Sequence, residues 1–101
     1  MKSAVLTPKA RNDLAESTRW IAKDNPAAAR ALRVAVQKMA KILGEHPHSG
    51  RERSDIAPPP VRFMALPGYP HIIIYDAALN PPMILRVMHG ARDLPELLEN
   101  L

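Results

Sequence analysis

Residues 7–44 read TPKARNDLAESTRWIAKDNPAAARALRVAVQKMAKILG and contain two stretches with helical periodicity, each opened by a proline. Thr7 and Asn25 directly precede those prolines. A threonine or asparagine side chain caps the start of a helix, and a proline fits the first helical position because no N–H is needed there. The spacing predicts an amphipathic helix over residues 8–23 and a second helix over residues 26–44. A linker this short predicts that the two helices form an antiparallel hairpin.

The two predicted helices differ in how they distribute charge. The second helix has an apolar stripe that we expect to be buried: Leu32, Ala35, Val36, Met39, Ile42 and Leu43. Its opposite arc is basic and contains no acidic residue: Arg30, Arg33, Lys38 and Lys41. In the first helix, Trp20 lies at the edge of the polar arc, where it either anchors a partner or shields the flank of the helix.

The second half of the chain has the pattern of a small sheet. Residues 45–60 are polar and rich in proline, which predicts a long surface loop. Three strands are then predicted as an antiparallel meander, with bounds Val61–Leu66, Tyr69–Asp76 and Met83–His89. An extended segment at residues 2–6 precedes the helices, and Asp93 is placed to cap a final short helix, Leu94–Leu98.

These elements predict one α+β domain over residues 1–101. It has an N-terminal strand, an antiparallel helical hairpin packed on one face of a small antiparallel sheet of three strands, and a short C-terminal helix.

A hairpin centred on Pro67-Gly68 would set Met64 opposite His71 and Arg62 opposite Ile73, and we expect Tyr75 opposite Arg86 in the next hairpin. Strand alternation then predicts an exposed polar face: Arg62, Met64, His71, Ile73, Tyr75, Ile84, Arg86 and Met88. The other face is predicted to pack on the helices: Val61, Phe63, Ala65, Ile72, Ile74, Leu85 and Val87.

The arginines and the tyrosine of the predicted polar face admit two interpretations. Arginine binds phosphate through two parallel hydrogen bonds, so the set suits an anion or, on RNA, charge stabilisation at a scissile phosphate without a metal. Alternatively, Arg62 and Arg86 are ordinary surface residues paired with Asp76 or Glu96, and Tyr75 packs across strands. The pattern alone leaves both open.

Composition excludes several classes of protein. The chain has 101 residues, no cysteine and a formal net charge of +4, so disulfides and thiolate chemistry are excluded and a nucleic acid or an acidic protein is a suitable partner. We expect no cofactor and no metal, because the four histidines lack acidic or cysteine partners at ligand spacing. No apolar run is long enough to cross a bilayer, and residues 1–7 lack the core of a secretory signal, which predicts a cytoplasmic protein.

Four segments, in this order, resemble the RelE/ParE toxin family. They are LTPKARNDLAE (residues 6–16), IAKDNPAAARAL (21–32), LGEHPHSGRER (43–53) and LRVMHGARD (85–93). The resemblance covers almost the whole chain. It implies a toxin of a type II toxin–antitoxin system, neutralised by a cognate antitoxin that is ParD-like or similar, in a hetero-oligomer.

The family resemblance implies two alternative targets. RelE-like members cut messenger RNA on the ribosome, whereas ParE-like members inhibit DNA gyrase. The ribonuclease branch typically has an arginine after a Gly-Tyr pair and a tyrosine in the C-terminal helix. Here Pro70 follows Gly68-Tyr69, and residues 94–101 contain no tyrosine, which favours the ParE-like branch and a protein that is not an enzyme.

The alternatives remain a metal-free endoribonuclease, with Arg62, Arg86 and Arg92 as candidate catalytic residues, and a non-toxic relic that only binds its partner. For binding of the antitoxin or target the candidates are Trp20, Arg62, His71, Tyr75, Arg86, His89 and Arg92.

Overall fold

The computed structural model describes residues 2–93 and 95. Two helices, α1 (Pro8–Ala22) and α2 (Pro26–Glu45), pack against each other as the predicted hairpin. The side chain of Thr7 accepts the Ala10 N–H and that of Asn25 accepts the Ala28 N–H, as expected of the two caps. Neither helix combines the length and the apolar character needed to span a membrane.

Among the described residues the sheet has five strands. The sequence predicted a meander of three strands and, separately, an N-terminal strand. The five strands are β1 (Val5–Leu6), β2 (Arg51–Glu52), β3 (Val61–Ala65), β4 (His71–Asp76) and β5 (Met83–His89). Their order is β1-β5-β4-β3-β2, with β1 parallel to β5 and the other pairs antiparallel. The α+β class and the β3-β4-β5 meander are confirmed, and the sheet is mixed. The two-residue strand β2 was missed because so short a segment has no periodicity.

The predicted strand register is wrong. In the structure Arg62 opposes Tyr75 and Met64 opposes Ile73, a shift of two residues. The shift arises because the Leu66 N–H donates to the His71 carbonyl, which makes residues 67–70 the turn instead of Pro67-Gly68 alone. A bulge between Ile74 and Tyr75 then places Tyr75 opposite Ile84, not opposite Arg86.

The assignment of the two sheet faces is wrong for most of the sheet, although Val87 packs with the helices as predicted. Ile73, Tyr75 and Ile84, all predicted to be exposed, are 0% exposed and pack with the helices. Phe63, Ile72 and Ile74, predicted to face the helices, form a separate cluster with Ile56 and Met88. Both faces are apolar, and the loop residue Ile56 covers the second one, so the count of apolar residues per face did not identify the helical side.

The N-terminal segment is fastened across the end of α2. The Ala4 N–H donates to the Ala40 carbonyl at 2.8 Å. A Cβ at Gly44 would clash with the Lys2 carbonyl oxygen, so only glycine allows this crossing. The crossing brings β1 alongside β5 and thereby sets the position of α1, which carries Trp20.

Candidate functional site

Tyr75 and Arg62 hold the segment that follows α2. The buried Tyr75 hydroxyl donates to the Pro47 carbonyl at 2.6 Å and accepts the Gly50 N–H at 2.8 Å. Arg62 donates to the Gly50 carbonyl at 2.8 Å. Burial raises the pKa of the Tyr75 hydroxyl despite the opposing effects of the Gly50 N–H and Arg62, so it remains a proton donor to Pro47. In this structure Tyr75 presents no surface to a partner.

Tyr75→Phe tests this structural role. We expect the free energy of unfolding to fall by about 2 kcal/mol, because the Gly50 N–H and the Pro47 carbonyl lose their buried partner. Urea denaturation measures the change. Tyr69→Phe is the control, since the Tyr69 hydroxyl makes no hydrogen bond among the described residues. Equal effects of the two substitutions would contradict this role.

Arg86 is engaged with α1. Its Nε donates to Asp13 Oδ2 at 2.7 Å and its Nη2 donates to Asp13 Oδ1 at 2.9 Å. The same carboxylate accepts the Val87 N–H at 3.1 Å. Asp13 thus accepts a backbone N–H from the part of β5 that does not pair with β1. Because Arg86 pairs with Asp13, the predicted pairing of Arg86 with Asp76 is wrong. The other predicted partner, Glu96, lies outside the described residues.

Four of the seven candidate binding residues converge on one groove. The groove has a volume of about 220 Å³ and lies between α1, the β3–β4 turn and the end of β5. It is lined by Ser17, Trp20, Ile21, Tyr69, Pro70, His71, His89 and Arg92. The Trp20 side chain is 65% exposed at its rim, with Lys23 Nζ 5.4 Å from the ring centroid. Arg62, Tyr75 and Arg86 do not belong to this groove.

Hydrogen bonds fix the polar end of the groove. His89 Nδ1 accepts the Arg92 N–H at 3.1 Å, so in the neutral ring the proton is on Nε2. Asp93 accepts the His89 N–H with one oxygen and the Arg92 Nε–H with the other. This is a different use of Asp93 from the predicted helix cap. The helix predicted at residues 94–98 lies outside the described residues, apart from Pro95.

His71 forms the floor of the groove and is 4% exposed. Its Nε2 is 3.3 Å from Ser17 Oγ, its ring meets the His89 ring edge-on at 5.6 Å, and its Nδ1 has no hydrogen-bond partner among the described residues. Burial lowers the pKa of His71, helped by the nearby His89 and Arg92 and opposed by Asp93. The floor of the groove is therefore uncharged at neutral pH.

The lowered pKa of His71 makes stability depend on pH. In the unfolded chain a histidine has a pKa of about 6.5 and binds a proton below that pH, whereas His71 in the folded chain does so only at lower pH. The free energy of unfolding therefore falls as the pH drops through about 6.5. We expect urea denaturation at about pH 7.5 and pH 5.5 to show this loss, and His71→Gln to reduce it. The exposed loop residue His48 supplies the control: His48→Gln should leave the loss unchanged. An unchanged pH profile in His71→Gln would contradict the assignment.

Sequence reasoning missed several groove residues. Ser17 and Ile21 are spaced i and i+4 and lie beside the candidate residue Trp20, which places all three on one side of α1, and this spacing was an available signal for the two missed residues. Tyr69 and Pro70 had no such signal, because they read as ordinary turn residues and reach the groove only through the turn of residues 67–70. No group of three metal-ligating side chains occurs within the described part of the chain.

The helical hairpin packed on one face of the sheet places this chain in a class of small α+β proteins that includes solved structures. One solved structure with this fold is the chromosomal ParDE toxin–antitoxin system from P. aeruginosa, with a TM-score of 0.72 and 23% sequence identity, covering 88% of this chain and 96% of that one. The model of the family described as ParE toxin of type II toxin-antitoxin system, parDE, matches residues 4–94. This chain belongs to the ParE toxin family. No curated protein matches its sequence.

Proposed function

We propose that this protein is neutralised by a cognate antitoxin that inserts a large apolar side chain into the groove beside Trp20. The observation that carries the proposal is the exposure of Trp20, 65%, at the rim of a groove whose floor is the uncharged His71. An exposed tryptophan next to an apolar concavity is typical of the energetic centre of a protein interface. Lys23, whose Nζ lies over the Trp20 ring, and Arg92, which lines the groove, favour an acidic partner.

DNA gyrase is the cellular target that best fits a toxin neutralised by an antitoxin in this way. The match to the ParE family over residues 4–94 supports it. So do the positions of Arg86, paired with Asp13, and Tyr75, buried beneath the loop, because neither is presented to a substrate. The toxin then acts by binding, in the cytoplasm, and no chemistry by its own side chains is required.

Purified gyrase tests this target. We expect the protein to inhibit supercoiling of relaxed plasmid, and the antitoxin to restore it at equimolar amounts. A heat-inactivated sample of the same protein is the control for carried-over inhibitors. Full supercoiling at a large excess of folded protein would remove gyrase as the target. Induction without growth arrest would point instead to a relic that only binds its partner.

One observation favours a second candidate, a metal-free ribonuclease. The groove brings together two imidazoles and a guanidinium, those of His71, His89 and Arg92. Such groups can move the proton of a 2′-hydroxyl and stabilise charge on a phosphate. Primer extension on messenger RNA after induction would then show new breaks that His89→Gln and Arg92→Ala abolish. Absence of breaks under growth arrest would exclude this candidate.

A further inference from the structure

A second concavity lies on the face of the sheet that points away from the helices. We call it the β2 cleft, and its volume is about 400 Å³. Its floor and wall come from β3, β4 and the segment around β2: Ser49, Gly50, Arg51, Arg53, Phe63, Met64, Ala65 and Ile72. The loop residue Ile56 packs with Ile74 and Met88 on this face but does not line the cleft. The apolar floor near Ala65 and Ile72 is therefore left open.

The wall of the β2 cleft carries positive charge. Arg51 forms no ion pair within residues 2–93 and 95. Its neighbour Glu52 points to the other side of β2 and pairs with Arg62 at 3.6 Å. Arg51 itself opposes Phe63 across the strand pair, so the two side chains project on the same face. An apolar floor with an arginine at its edge suits an occupant that is apolar on one side and negatively charged.

Residues 94–101 read LPELLENL and have both properties. The segment carries two negative charges, those of Glu96 and Glu99, and no positive one. Its four leucines are spaced i, i+3, i+4 and i+7, as in the apolar stripe of a helix: Leu94, Leu97, Leu98 and Leu101. A helix of eight residues is not stable alone in water, so such a stripe needs a surface to pack on.

The chain enters this segment beside the β2 cleft. A Cβ added at Gly90 would lie 3.2 Å from Ile72 Cδ1, and the Asp93 N–H donates to the His89 carbonyl at 2.7 Å. Residue 94 therefore starts near the β4 end of the floor. From Ile72 to Arg51 the sheet crosses two strand spacings, about 10 Å. Eight residues in a helix extend about 12 Å, which is the length needed to cover the floor.

We propose that residues 94–101 dock in the β2 cleft as a cover supplied by the chain itself, with the leucines on the apolar floor and the negative charge beside Arg51. A second copy of the chain is a poorer occupant, because it would bring arginines against arginines. The docked segment occupies the surface that an anionic ligand would need, so access to the cleft is controlled within the chain. The inference goes beyond the proposed function and does not rest on it, since antitoxin and gyrase play no part in it.

Disulfide trapping tests the docking directly, because the chain contains no cysteine. Leu98→Cys is combined with Ala65→Cys in the cleft or, as the control, with Lys23→Cys beside the Trp20 groove; Ala65 and Lys23 are both exposed. We expect the cleft pair to form its disulfide at least about tenfold faster than the control pair, because docking raises the effective concentration of the two thiols. Equal rates would overturn the inference. A faster control pair would overturn it in favour of docking in the Trp20 groove.

The leucine stripe is tested in the same background. Leu94→Ser/Leu97→Ser should slow the cleft pair to the rate of the control pair, because the segment loses half of its apolar stripe. An unchanged rate would contradict docking through the leucines. Circular dichroism of all variants verifies that α1 and α2 remain folded.

Dye binding measures the opening of the cleft in the full-length chain. Anilinonaphthalene sulfonate has an aromatic body and one negative charge, which is the chemistry that the β2 cleft accepts. Leu94→Ser/Leu97→Ser/Leu98→Ser should release the segment and raise the dye fluorescence about threefold or more, because apolar surface becomes accessible. Adding Arg51→Glu should reverse the rise, whereas adding Arg30→Glu on α2 should not. No rise in the leucine variant, or an equal effect of the two arginine substitutions, would overturn the inference.

Discussion

Trp20→Ala is expected to weaken the complex with the antitoxin by about 30-fold or more, equivalent to about 2 kcal/mol, the loss typical of an interface hot spot. The physical reason is the position of the indole at the rim of the groove, where a partner would remove its exposed surface from water. Isothermal titration calorimetry measures the change, since Trp20 is the chain's single tryptophan and its removal eliminates the intrinsic fluorescence signal.

Leu79→Ala is the matched control for Trp20→Ala. Leu79 is also a large apolar side chain with high exposure, 45%, but it lies in the β4–β5 turn and does not line the groove. We expect it to leave antitoxin affinity unchanged, and both variants to keep the wild-type unfolding free energy. In cells, Trp20→Ala should remain toxic while the antitoxin is co-expressed. Equal affinities of the two variants would show that the groove is not the docking site.

The helical part of the fold was predictable from sequence because its signals are local. Thr7-Pro8 and Asn25-Pro26 combine a capping side chain with a proline at the first helical position, and both helices begin where these pairs predict. The family resemblance was equally accessible, because four segments spread along the chain occur in the family's order, and the family match covers residues 4–94.

The sheet was less predictable because its register depends on contacts that are distant in sequence. The run Ile72-Ile73-Ile74 is apolar on both faces, so alternation could not identify the helical side. The deciding features were the four-residue length of the turn at residues 67–70 and the bulge at Tyr75. Pro67-Gly68 indicates a turn but not its length, and the bulge has no signature in the sequence. As a result, Tyr75 and Arg62 were misplaced, whereas the candidate residues Trp20, on its helix, and Arg92, after the last strand, both line the groove.

The partner of Arg86 illustrates the same limit. Asp13 precedes it by 73 residues, and nothing local predicts that α1 lies over the β5 edge. The structure shows that one carboxylate satisfies both the Arg86 guanidinium and the Val87 N–H. The contact therefore fastens the helix that carries Trp20 to the strand that ends in His89, and with it the two walls of the groove.

Asp13→Ala is consequently expected to lower the free energy of unfolding by about 3 kcal/mol, because it removes two charge-assisted hydrogen bonds from the partly buried Arg86 guanidinium and leaves the Val87 N–H without its acceptor. The Asp13 side chain is only 12% exposed, so water replaces the carboxylate poorly. Asp13→Asn should retain part of the stability, since the amide oxygen still accepts one hydrogen bond. Urea denaturation measures the three proteins.

Asp55→Ala is the control for Asp13→Ala. Asp55 pairs with Arg53 at 2.8 Å, but both side chains are largely exposed, and such pairs contribute little because water and salt screen them. We expect no measurable change there. A double substitution of Asp13 and Arg86 by alanine should cost less than the sum of the single substitutions, since the two residues act on each other. Additive losses of stability would contradict this role, and so would a loss in Asp13→Ala as small as the loss in Asp55→Ala. Either result would mean that α1 is held to β5 by apolar packing alone, and Asp13→Ala would then bind the antitoxin with wild-type affinity. If Asp13 does fasten α1 to β5, the affinity of Asp13→Ala for the antitoxin should fall.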